Sequence, residues 1–355
     1  MSNLIANTEL ELETVNHLLD KQLPSYRKAF SDRTAWVMAC CSELAYIRFN
    51  PLFSKEQQKD YFLEHVAKLI GEKKQAALVE LINIISYDHN EERERLCNEL
   101  SLLRMELIET YDCKGTQAIL LSYGDYIVLA FRGTEPKSIR DIRSDADGVL
   151  IDCPVTKGLV HKGFNDAYEL VADDIQKKLN EEAYADKILF ITGHSLGGAL
   201  ATVAAKRLDH KAGIGACYTY GSPRVGNKEW ICGLKTPIYR IVNAADAVTM
   251  LPPGGIVVGV LGSIVQFIPS VGALLKKALV SRFGGYMHAG NMRYLENAEP
   301  GQFEKVELLY SVSLPYRIKG LIYNQLSWKN VLSDHSITTY RKKLTAVAKQ
   351  RNPKE

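Results

Sequence analysis

The stretch Lys187-Ile-Leu-Phe-Ile-Thr-Gly-His-Ser-Leu-Gly-Gly-Ala-Leu-Ala201 decides how the chain is read. Ile188 to Thr192 is a short apolar run bounded by a turn signal, the pattern of a buried strand. A Gly-flanked turn carrying Ser195 follows, and then a small-residue segment that reads as a helix. In that setting Gly-x-Ser-x-Gly acquires a mechanical meaning. A tight strand-to-helix turn holds the serine side chain out of the sheet, with the next backbone N–H and the positive helix N-terminus aimed at the same spot. Gly193 and Gly197 are needed because a Cβ would clash where strand and helix approach around a strained residue. The pentapeptide alone arises by chance; its flanks make Ser195 a candidate nucleophile rather than a plain turn residue.

Outward from this stretch, strands and helices alternate. Gln117–Tyr123 and Asp125–Phe131, split by Gly124, read as a hairpin entering the core sheet. A helix is expected near Asn165–Asn180, one after Ser195 to Leu208, and strands at Ala216–Tyr220 and Pro237–Asn243. This alternation predicts an α/β fold with a mostly parallel central sheet flanked by helices. Residues 1–110 read instead as a helical N-terminal region, with Leu10, Leu12, Val15, Leu18 and Leu19 at helical spacing. Ser31-Asp-Arg-Thr opens a second helix running to Tyr46, and Pro51 breaks the pattern. The charged region from Ser54 to Tyr111 reads as further helices, serving as a packing subdomain or a partner-binding surface. The catalytic domain is thus expected over 111–348.

The composition narrows the class. A net charge of +3 gives no argument for nucleic acid as a partner. The seven cysteines are odd in number, scattered, and include the adjacent Cys40-Cys41, which fits reduced thiols better than a disulfide framework; no C-x-x-C suggests zinc. The first residues lack a basic n-region and an apolar core, so no secretory signal peptide is read. A cytoplasmic or peripheral-membrane location is the expectation, with export by another route left open.

A serine hydroxyl needs a base to take its proton, and the base needs an orienting carboxylate. Where the serine sits on such a turn, acid and histidine follow it in that order. Asp246 lies just past the apolar strand ending at Asn243, whereas Asp209 falls at the far end of the helix after Ser195. Two histidines are plausible bases: His335, opening a final helix over Ser336–Ala348, and His288, in a Gly-rich, strand-like stretch. His194 adjoins the nucleophile but cannot face the same way. For a developing oxyanion, Leu196 N–H is one donor by position and Thr134, after Phe131-Arg-Gly, is the other.

Several further pieces, in chain order, resemble one family. They are Val128-Leu-Ala-Phe-Arg-Gly-Thr134, Ser138-Ile-Arg-Asp-Ile-Arg-Ser-Asp145, His161-Lys-Gly-Phe164 and Gly193-His-Ser-Leu-Gly-Gly198. Thr219-Tyr-Gly-Ser-Pro-Arg-Val-Gly-Asn227, Arg240-Ile-Val-Asn-Ala-Ala-Asp246, Leu251-Pro-Pro253 and Asp334-His335 complete the set. Together they resemble the class 3 lipases of the α/β-hydrolase superfamily. The resemblance implies Ser195 as nucleophile, Asp246 as acid, His335 as base, Thr134 and Leu196 as oxyanion donors, and no cofactor or metal. It implies carboxylic ester hydrolysis, with acylglycerols or phospholipids as typical substrates, and a lid position at Pro136–Asp145, where only Ile139 and Ile142 are apolar. The helix ending at Tyr46 resembles the family's N-terminal helix, so residues 31–46 are expected to pack on the hydrolase core. The runner-up readings are a phospholipase or acyltransferase with the same acyl-enzyme, or a catalytically silent fold that binds lipid or a partner.

One segment departs from the family background. Gly254 to Leu275 carries no charge and is followed by Lys276-Lys277, within an apolar insert at 254–280. Its length just suffices for a bilayer, but Gln266, Pro269 and repeated Gly argue against one spanning helix. A buried hairpin or contact with a lipid or membrane surface are the alternatives.

Overall fold

The computed structural model describes residues 3–21, 29–48, 56–85, 88–133, 149–244, 246–255, 258–259, 263, 266, 272–299, 301–313, 315–317 and 333–353. Five helices come first: α1 Glu9–Leu19, α2 Asp32–Leu44, α3 Glu56–Gly71, α4 Gln75–Ile85 and α5 His89–Leu102. The first is closed by a reciprocal cap, Thr8 taking the Glu11 N–H while the Glu11 carboxylate takes the Thr8 N–H. Ser31 caps α2 through Thr34 N–H, as its sequence predicts.

The sheet begins earlier than the sequence suggests. Strand β1 (Glu106–Cys113) pairs antiparallel with β2 (Thr116–Tyr123), which pairs antiparallel with β3 (Tyr126–Phe131). Its charged, half-exposed residues conceal a strand because β1 lies at the sheet edge, where one ladder and one face suffice. A separate ribbon, β4 (Leu150–Asp152) with β5 (Leu159–His161), leads into α6 (Lys162–Leu179) and the short α7 (Glu182–Ala185). Then come β6 (Ile188–His194), α8 (Leu196–Arg207), β7 (Ile214–Tyr220), α9 (Lys228–Cys232) and β8 (Ile238–Asn243). The chain closes with α10 (Gly272–Phe283), β9 (Asn291–Leu295), β10 (Leu308–Leu309) and α11 (Ile337–Arg351).

The main sheet runs β1-β2-β3-β6-β7-β8-β9-β10, and every pairing from β3 through β9 is parallel. Its central strands are buried along almost their whole length, which is why they read as continuous apolar runs. Side-chain alternation divides the core in two. Val128, Ala130, Tyr218, Tyr220 and Ile241 face α2 and α11 on one side, while Leu129, Phe131, Ile191 and Cys217 face α6 and α8 on the other. Residues Arg33 to Leu44 of α2 are all buried, pinned between the sheet and α11. Helix α2 contacts β3, β6 and β7 of that sheet.

Most of 254–275 lies outside the described residues, as does the expected lid position at 136–145. Among the described residues no helix is long and apolar enough to cross a membrane. In α10, Leu274 and Val280 are exposed beside Lys276 and Lys277.

Candidate active site

Ser195 sits between the last residue of β6 and the first of α8 with φ 57° and ψ −126°, a backbone region hostile to a side chain. The glycines around it explain how the turn closes. A Cβ on Gly193 would run into the Gly197 carbonyl group, and one on Gly197 into the Phe131 carbonyl at the end of β3. Gly133 abuts the serine from the other side, where a Cβ would stand 3.3 Å from Ser195 Cβ. The Ser195 side chain makes no capping bond to α8, so its hydroxyl is free for another partner.

That partner is His335, whose Nε2 lies 2.8 Å from Ser195 Oγ. Its Nδ1 lies 2.9 Å from Asp246 Oδ2 and 3.0 Å from Oδ1. An ionised carboxylate can only accept, so Nδ1 carries the proton and Nε2 is left as acceptor for the serine hydroxyl. Asp246 follows β8 by a short turn, and His335 stands two residues before α11. Both therefore arrive at the ends of rigid elements, and all three side chains are buried. The Asp246 carboxylate also receives Val248 N–H at 2.9 Å and the Tyr340 hydroxyl at 2.7 Å. Gly221, at φ 59° after β7, leaves room for this pair: a Cβ there would be 2.7 Å from Asp246 Oδ2 and 3.0 Å from His335 Nδ1.

A second layer fixes the base. His194 Nε2 lies 2.6 Å from the His335 carbonyl, and its Nδ1 lies 2.8 Å from the Tyr46 hydroxyl. Because the carbonyl can only accept, Nε2 holds the proton and Nδ1 accepts from Tyr46. Burial, and then the neighbouring His335, hold the His194 pKa well below its ordinary value, so the ring stays neutral. Asn243 at the end of β8 binds the Asp334 carbonyl at 2.8 Å and is itself held by Lys343 at 2.7 Å. Burial draws that lysine's pKa down to about 8. Sequence reasoning missed the roles of Tyr46, Asn243, Tyr340 and Lys343, since each meets the site only through the tertiary fold, although Asn243 lies within the Arg240–Asp246 motif.

Of the two candidate bases, the structure brings His335 and not His288 to the serine. His288 lies among Arg240, Arg224 and Arg317, and burial followed by these charges pushes its pKa well below the ordinary value. Leu196 occupies the first position of α8, where backbone N–H groups have no acceptor within the helix. Thr134 lies outside the described residues. Among the described residues no group of three His, Cys, Asp or Glu side chains is placed to hold a metal.

A mostly parallel sheet with helices on both faces and a serine on the turn after a central strand defines an α/β hydrolase. Residues 128–255 match the family model described as lipase (class 3). The chain is 33% identical over 143 residues to the secreted mono- and diacylglycerol lipase LIP2 of Malassezia restricta, covering 36% of this chain and 45% of the relative. It is 35% identical over 138 residues to a lipase of Rhizomucor miehei, covering 36% of this chain and 38% of the relative. The chain thus spans less than half the length of these curated relatives. A solved structure of Rhizomucor miehei triacylglyceride lipase is 24% identical with a TM-score of 0.45, covering 65% of this chain and 79% of the other.

One expectation is corrected. A cytoplasmic or peripheral-membrane location conflicts with the matched relatives, several of which are named secreted lipases. The expectation rested on the first residues and on unpaired thiols. The first residues lie outside the segment matched by the family model, and the chemistry around Ser195 does not depend on compartment.

Proposed function

We propose that this protein is a serine carboxylic-ester hydrolase that cleaves acyl esters of lipids. The observation that carries this is the hydrogen-bonded chain from Ser195 Oγ through His335, 2.8 Å away, to Asp246. In this reading His335 Nε2 removes the hydroxyl proton as Ser195 attacks the acyl carbonyl, and Asp246 stabilises the imidazolium that forms. The Leu196 N–H, at the positive end of α8, stabilises the oxyanion; Thr134 is assigned as the second donor from its sequence position. Collapse of the tetrahedral intermediate expels the alcohol, which takes the proton from His335. Water, deprotonated by His335, then attacks the acyl-enzyme and releases the acid.

The exposed Leu274, Leu275 and Val280 of α10, flanked by Lys276 and Lys277, support contact with aggregated lipid substrate on that side. The test of the reaction is Ser195→Ala assayed on a p-nitrophenyl ester, with a fluorophosphonate probe as a second measure. Turnover and labelling should both vanish while the protein stays folded. Hydrolysis or labelling that survives in Ser195→Ala would remove the assignment.

A further inference from the structure

Beside the site, the chain gathers three guanidinium groups, two of them buried with too few acceptors. Arg240 of β8 is 6% exposed and Arg317 is 3% exposed. Arg224, following β7, lies close enough that both it and Arg317 repel the Arg240 charge. Arg224 spends Nη1 on the carbonyls of Met250 and Pro252, and Arg317 spends Nη2 on the Thr249 hydroxyl. That leaves Arg240 Nε and Nη1 and Arg317 Nε buried without an acceptor among the described residues. His288 is packed in the same cluster, beside the Thr249 backbone.

Among the described residues, Asp246 is the one carboxylate recorded against this cluster, and it acts on Arg317 alone. Asp246 faces Arg317, but its oxygens are already engaged by His335, Tyr340 and Val248. From Ala247 to Leu295, and again from Ser311 to Ser333, the chain contains no Asp or Glu. A buried, unpaired cation is among the costliest arrangements a protein can hold, with an effective penalty of several kcal/mol per ion. Proteins avoid that cost with a counter-charge.

We infer that Arg240 and Arg317, with Arg224 beside them, form a binding site for one small inorganic anion of halide size. The reasoning on size and charge is direct. Asp246 opposes Arg317, and two carbonyls solvate Arg224 without neutralising it; Arg240, with neither recorded, is the cation most in need of a counter-charge. The idle donors are Arg240 Nε and Nη1 and Arg317 Nε, spread over two side chains, and a spherical anion accepts from any direction. Arg240 is drawn down to about 9 by burial and then by its neighbours, yet it remains charged at neutral pH and still requires a partner. Bound there, the anion would brace the loop from Asp246 to Pro253 through Thr249 and Arg224, because Thr249 also bonds the Asp246 carbonyl at 2.8 Å.

The experiment is thermal unfolding of the full-length protein with chloride replaced by gluconate at constant ionic strength. Gluconate is too large and too hydrated to substitute. A saturable rise in Tm of roughly 2–4 °C with chloride is expected, with bromide acting in the same way. Arg240→Gln should abolish the dependence. Equal Tm values in chloride and gluconate would overturn the inference, as would an undiminished chloride effect in Arg240→Gln. Should that variant fail to fold, bromide-soaked crystals of the unaltered protein decide: an anomalous peak between Arg240 and Arg317 supports the site. Bromide found on the surface alone refutes it.

Discussion

Tyr340 donates its phenolic hydroxyl to Asp246 Oδ2 at 2.7 Å, and the tyrosine oxygen itself accepts Asn243 N–H at 2.9 Å. The tyrosine thereby ties the carboxylate that orients His335 to the end of β8. Tyr340→Phe keeps the ring and removes both bonds. A hydrogen bond to a charged group is worth about 1.5–3 kcal/mol, and only part of that changes on reaching the transition state. We expect kcat to fall roughly 5–30-fold with KM unchanged, checked by steady-state kinetics on a soluble ester. The orphaned Asn243 N–H should also lower Tm by a few degrees, about 2–4 °C.

The backbone at Ser195 predicts an unusual order of stability. At φ 57° and ψ −126° a side chain is strained by about 1–3 kcal/mol, and only glycine relieves it. Both Ser195→Ala and Ser195→Gly should be inert. The glycine variant should nonetheless melt roughly 2–4 °C above the alanine variant in calorimetry. An alanine variant as stable as the glycine one would show that the turn stores no strain.

Much of this was legible before the fold was known. The run Ile188–Thr192 followed by Gly-x-Ser-x-Gly is read locally, since one strand, one tight turn and one helix N-terminus need only their own residues. Likewise, Ser31 announces a helix start because a cap acts within three residues. What escaped was non-local. Strand β1 is mixed in polarity because its ladder partner, rather than an apolar face, holds it at the edge. Tyr46 and Tyr340 look like any core tyrosines until α2 and α11 are laid side by side on the sheet. His335 and His288 could be ranked from sequence, but only packing reveals the arginines around His288.

Gly221 carries a prediction of its own. A methyl group there would meet Asp246 Oδ2 at 2.7 Å and His335 at 3.0 Å, on a backbone at φ 59° that favours glycine. Gly221→Ala should leave the far-UV circular dichroism unchanged. Activity should drop by about 100-fold or more, because displacement of reacting groups by about 1 Å has that effect. Near-normal turnover would mean that the histidine and carboxylate tolerate being pushed.

Acid should destabilise the fold through a histidine outside the reaction. Burial lowers the pKa of His161, the cap of α6, from 6.5 to about 4. Between those values the unfolded chain binds the proton and the folded one does not, so stability rises with pH across the window and is lost as pH falls through it. The loss from this group is on the order of 3 kcal/mol once pH drops below both values. His161→Asn keeps a capping acceptor without the titration, and urea unfolding from pH 7 to pH 4 should show a flatter decline. Parallel curves would assign the acid sensitivity elsewhere.

The packing of α11 against α2 also determines when a growing chain becomes competent. The strained serine turn is complete once β6 and α8 have been made, yet its hydrogen-bond partner, His335, emerges many residues later, just ahead of α11. That helix finds its seat only by returning to an element near the start of the chain, a contact between segments about 300 residues apart. Nascent, stalled or C-terminally clipped chains therefore carry the hydroxyl without the imidazole. The triad is therefore completed only when α11 docks against α2 and brings His335 to the serine turn.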